Sequence, residues 1–139
     1  MSSPVSQHKQ REQFMQTVFS LGVKPAAEQT EERSAEVQSF LQHLPDIDQK
    51  IKNHARSWPL EAMNQIDLAI LRISVYELRT EDTPINVVLN EAIELAKTYG
   101  AEKSPSFVNG VLAAIVEEKV TAEEKTHGTA DKSKPARRT

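Results

Sequence analysis

The chain has 139 residues, 38% apolar and 27% charged, enough for one globular domain and too apolar for disorder throughout. It has no cysteine, which excludes disulfides, thiolate metal sites and cysteine nucleophiles. The net charge of −3 divides into −5 over residues 1–119 and +2 over residues 120–139, so nucleic acid would have to find a local basic patch.

Proline and glycine punctuate the chain, and between them the apolar spacing is helical nearly everywhere. Residues 6–21 are predicted to form a first helix whose stripe is Phe14, Met15, Val18 and Phe19, ended by Gly22. Residues 23–29 read as a loop, and Thr30 as the cap of a second helix carrying Val37, Phe40, Leu41 and Leu44. Pro45 should break or kink that helix, with Asp46 restarting it and Ile47, Ile51, Ala55 and Trp58 on one face. Pro59 then opens a short helix with Leu60 and Met63.

Asn64 or Gln65 starts the next element. Its residues Ile66, Leu68, Ala69, Ile70, Leu71, Ile73, Val75, Tyr76 and Leu78 are apolar nearly all round, which marks a central helix covered on several sides. Thr83-Pro84 and Ser104-Pro105 are start signals for two more helices. The first carries Ile85, Val88, Leu89, Ala92, Ile93, Ala96 and Tyr99 and ends at Gly100. The second carries Phe107, Val108, Val111, Leu112 and Ile115. From Thr121 onward nothing apolar is larger than alanine. The expectation is therefore an all-α domain of six or seven helices over residues 6–119. Residues 1–5 are expected to be a disordered N-terminus and residues 120–139 a disordered basic tail.

The longest apolar run is the six residues 111–116, far short of the roughly 20 that span a bilayer. With no apolar segment near Met1 and no cysteine, a reducing cytoplasm is the expected setting.

No enzyme constellation is visible. His8, His43, His54 and His127 are scattered without a motif, and there is no glycine-rich phosphate loop. Glu91 and Glu94 share a helix face, as metal ligands in bundles do, but no histidine follows at the required spacing. No catalytic residue, metal, cofactor or small-molecule substrate is expected. One feature points to RNA. His8, Lys9 and Arg11 open the first helix and Phe19 lies further along it, cations for phosphates and a ring for a base. The competing reading of these residues is a solvated helix start with Phe19 in the core.

Three blocks carry a family resemblance: IDLAILRISVYEL at 66–78, PINVVLNEAIELAK at 84–97 and SPSFVNGVL at 104–112. In order and spacing they resemble the NusB transcription antitermination factors. The N-terminal half is similar in outline, through Arg11, Glu12 and Phe19 and through Ile47 and Asp48.

The resemblance implies an all-helical fold of two packed halves, with no catalysis. It implies an adaptor that pairs with the small-subunit ribosomal protein acting as NusE. The pair would bind boxA RNA in ribosomal RNA transcripts and join an antitermination complex on RNA polymerase. Family RNA contacts correspond to His8, Lys9, Arg11, Phe19, Lys103 and Phe107, and the NusE-facing acidic position to Asp67. The basic start is sparser here than in the family, and Lys103 stands where an acidic residue is common. Within the same resemblance, Gly110 reads as a device for close helix packing. Arg72 reads as one half of a structural ion pair with Glu77, Glu91 or Glu94.

Two other readings compete. One is an adaptor of the same fold that binds protein but has lost boxA binding. The other is the NusB-like domain that precedes an RNA cytosine methyltransferase, for which the chain is too short.

Overall fold

The structure, a computed structural model, describes residues 4–21, 35–55, 59–80 and 82–126. Among them are five α-helices and no strand: α1 (Pro4–Leu21), α2 (Ala35–His54), α3 (Gln65–Thr80), α4 (Ile85–Tyr99) and α5 (Ser104–Thr126), with a 3-10 turn at Leu60–Ala62. Gly22, the loop 23–29, Thr30 and Trp58 lie outside the described residues.

The helix count falls below six because Pro45 does not divide its helix. It sits inside α2, on an exposed turn. Proline removes one backbone bond and crowds the preceding turn, at a cost of about 3 kcal/mol. Burial across it is continuous. Val37, Phe40, Leu44, Ile47 and Ile51 are all buried, at alternating spacings of three and four. One unbroken apolar stripe on both sides of the proline keeps the two segments on a single axis. Asp46, expected as a restart cap, is instead an exposed mid-helix residue 3.9 Å from Arg79.

Helix α3 is the central helix, in contact with each of the other four. Residues 67–75 are buried without a break. Asn64 is its N-cap, with its side-chain oxygen accepting from the amides of Ile66 (2.8 Å) and Asp67 (3.1 Å). Helix α4 starts differently from expectation: Pro84 itself holds the cap position, and its carbonyl accepts from Val87 and Val88. Helix α5 runs to Thr126, past the expected boundary at 119. Alanine, glutamate and lysine, which recur there, are strong helix formers.

Two polar contacts set the packing of α2 on α3. Arg72, 2% exposed, donates from Nε to Asp48 Oδ1 (2.9 Å) and from Nη2 to Oδ2 (2.8 Å). The Tyr76 hydroxyl donates to Ser39 Oγ at 2.8 Å, and its ring packs at the edge of Phe40. The structural role expected of Arg72 stands, but its partner is Asp48 and none of the three glutamates. The expectation for Gly110 fails. It is exposed on α5, and a Cβ there would meet nothing within 4 Å. The close approach is at Gly100, where a Cβ would lie 2.6 Å from Ser104 Cβ.

Candidate nucleic-acid interface

The start of α1 lies across α3 and α4, because Met15 and Val18 on its inner face are buried in the common core. The basic side chains one and two turns earlier are thereby brought over two glutamates. Arg11, its side chain 13% exposed, grips Glu77 with Nε (3.0 Å) and Nη2 (2.7 Å), and its Nη1 is 3.5 Å from Glu91. Burial is the strongest single influence on this guanidinium and opposes its charge. The two glutamates together outweigh burial and raise its pKa above the ordinary value. His8 donates from Nδ1 to the same Glu91 oxygen at 2.6 Å.

Lys9 is different. Its side chain is 68% exposed, and its nearest carboxylate, Glu12, is 3.9 Å away. Glu12 is itself occupied, accepting a hydrogen bond from the Tyr99 hydroxyl, which raises the tyrosine's pKa. Gln16 also donates to that hydroxyl, at 3.4 Å. Tyr99 thus ties the end of α4 to the middle of α1. The turn that follows carries Lys103, exposed, and then Phe107, half-buried against the core.

Phe19 is not in the core. It is 44% exposed, the most exposed large apolar side chain among the described residues. An exposed aromatic and an exposed lysine therefore share α1, ten residues apart, or about 15 Å along the axis.

Asp67 does not stand at the surface. It is 7% exposed, near the N-terminus of α3 and beneath that of α5. Burial raises its pKa, and a hydrogen bond from Ser104 partly offsets this. Its Oδ1 has no hydrogen-bond partner.

Sequence reasoning named the cations of this region and missed the anions facing them. Glu77 and Glu91 lie on the blocks quoted above, yet nothing in their spacing announces a contact 66 or 83 residues away. The usable signal was that both are acidic positions on helices otherwise committed to burial.

A model of the NusB family matches residues 6–117. The chain is 44% identical over 93 residues to a Thermoanaerobacter sp. (strain X514) protein called "Transcription antitermination protein NusB", a match covering 67% of this chain and 66% of that protein. It therefore spans just under two thirds of that relative's length. A Bacillus cereus (strain B4264) protein of the same description is 38% identical over 120 residues, covering 76% of this chain and 92% of the relative. Among solved structures, T. maritima NusB superposes with a TM-score of 0.67 at 27% identity, covering 89% of this chain and all of that one.

Proposed function

On the premise that this chain belongs to the NusB family of transcription antitermination proteins, we propose that it is a cytoplasmic, non-catalytic RNA-binding adaptor. It pairs with the ribosomal protein NusE, binds boxA RNA in ribosomal RNA transcripts, and joins the antitermination complex on RNA polymerase. The observation that carries the reading is Phe19. A large aromatic held 44% exposed on the helix that also presents Lys9 is the pairing a single-stranded base and its phosphate require.

In this reading Lys9 and Lys103 meet phosphates, and Phe19 and Phe107 offer ring faces. His8 and Arg11 contribute from positions already engaged by carboxylates. Asp67 holds the NusE-facing position on the strength of the family resemblance alone, since its unpartnered oxygen is buried.

The test is RNA affinity with and without NusE, on boxA and scrambled oligonucleotides. Tighter binding to boxA, strengthened by NusE and weakened by Phe19→Ala without loss of fold, is the expected result. Equal or absent binding to both RNAs would instead establish the protein-only adaptor, a reading favoured by the pairing of Arg11 with two glutamates.

A further inference from the structure

The basic start of α1 is not basic once folded. Each of its three basic side chains faces a carboxylate: His8 on Glu91, Lys9 near Glu12, and Arg11 on Glu77 and Glu91. With histidine counted as neutral, two cations meet three anions. Two of these contacts converge on Glu91, which faces Arg11 and His8 through the same oxygen. Glu91 is fixed on α4 by Val88, Ala92 and Leu95 in the core around it, so it cannot swing away with α1.

From this geometry we propose that Glu91 is an intramolecular competitor of RNA phosphate. It holds His8 and part of the Arg11 charge, and so sets the affinity of the RNA-binding face. The inference rests on the RNA-binding reading and adds to it the residue that limits binding. A phosphate that approaches α1 meets Lys9 freely but must displace Glu91 to reach His8 or the Nη1 edge of Arg11. Glu77 plays a different part. Its bidentate grip from α3 holds Arg11 in place whether or not Glu91 is charged. Glu91 is therefore a positioning residue for the recognition helix, and removing its charge should strengthen binding.

The experiment compares wild type with Glu91→Gln, Glu91→Asp, Glu94→Gln and Lys9→Gln on one single-stranded RNA oligonucleotide over a range of salt. Glu91→Gln should tighten binding about three- to tenfold at low salt, the worth of one unmasked cation near a phosphate. It should also steepen the log–log salt dependence by about 0.7 for each cation released. Glu91→Asp keeps the charge but shortens the reach to His8, and should tighten binding by less. Glu94, exposed and 3.7 Å from Lys97, removes the same charge from the same helix without touching His8 or Arg11, and its variant should bind nearly as wild type does.

Equal tightening by Glu94→Gln and Glu91→Gln would reduce the effect to net charge and overturn the proposal. So would no tightening in either Glu91 variant while Lys9→Gln still weakens binding; RNA recognition would then stand without this competitor. If neither wild type nor Glu91→Gln shows salt-dependent binding, both readings fall together. Should Glu91→Gln loosen α1, visible as a lower melting temperature, Glu91→Asp decides alone.

Discussion

Two arginines clamp helices in this fold, and they do it in different ways. Arg72 on α3, itself 2% exposed, is paired with Asp48 on α2, with both oxygens of the carboxylate used. Arg11 on α1, its side chain 13% exposed, meets two carboxylates from two other helices, one of which also holds His8. In the first arrangement one buried guanidinium meets one carboxylate, and the pair fixes α2 on α3. The second carries surplus negative charge beside solvent, where an outside anion or cation can compete for its members. Stoichiometry and access, not residue type, divide the structural arginine from one that can take part in binding.

The largest test of this contrast breaks the matched pair. Asp48→Ala strands the Arg72 charge away from water and should cost about 3–5 kcal/mol in denaturant unfolding. Replacing both residues, Asp48→Leu with Arg72→Met, should recover most of that loss, because the penalty lies in the orphaned charge and not in the pair's own attraction. A cost under about 1 kcal/mol for Asp48→Ala would show that the guanidinium reaches water, and the contrast would dissolve. At the second site Glu77→Gln leaves Arg11 a neutral acceptor and Glu91 nearby. The expected loss is about 1–1.5 kcal/mol, at the low end for hydrogen bonds to charged groups. High salt should shrink this loss more than the Asp48 effect, since Arg11 is the less buried of the two arginines.

Much of this was legible in advance, and what was not has identifiable causes. The central helix, its apolar surround and the stop at Gly100 follow from periodicity and punctuation, which are local. The polar partner expected for Tyr76 is Ser39, found across a helix interface. The partner of Arg72 is not legible in the sequence, because nothing in the local spacing of Asp48 announces a contact 24 residues away. Phe19 and Gly110 were hard for a common reason: an apolar or small residue on a helix has no sign of its own for inside or outside. Gly110→Ala turns that into a third test. With open space at the Cβ position, alanine should stabilise the exposed middle of α5 by about 0.5–1 kcal/mol, measured by thermal melting. A loss instead would mean that this face of α5 is covered.

Asp67 extends the comparison to its limit, a buried carboxylate whose only hydrogen-bond support is the Ser104 hydroxyl. Its folded pKa lies above the ordinary value of 3.8, chiefly through burial. The sign of its contribution follows. Below about pH 3.8 the carboxyl is protonated in both the folded and unfolded chain, and its burial carries no ionic penalty. As pH rises through the raised folded value, the unfolded chain ionises more readily than the folded one, and stability is lost. Asp67→Asn removes the titration while keeping an oxygen for Ser104. It should match wild type in melting experiments near pH 3.5 and exceed it at neutral pH by a modest margin, on the order of 0.5 kcal/mol, the low end for a single buried hydrogen-bonding group. If the asparagine variant is instead less stable at neutral pH and equal in acid, Asp67 has a cation after all. It would then belong with Asp48 among the carboxylates paired inside the fold.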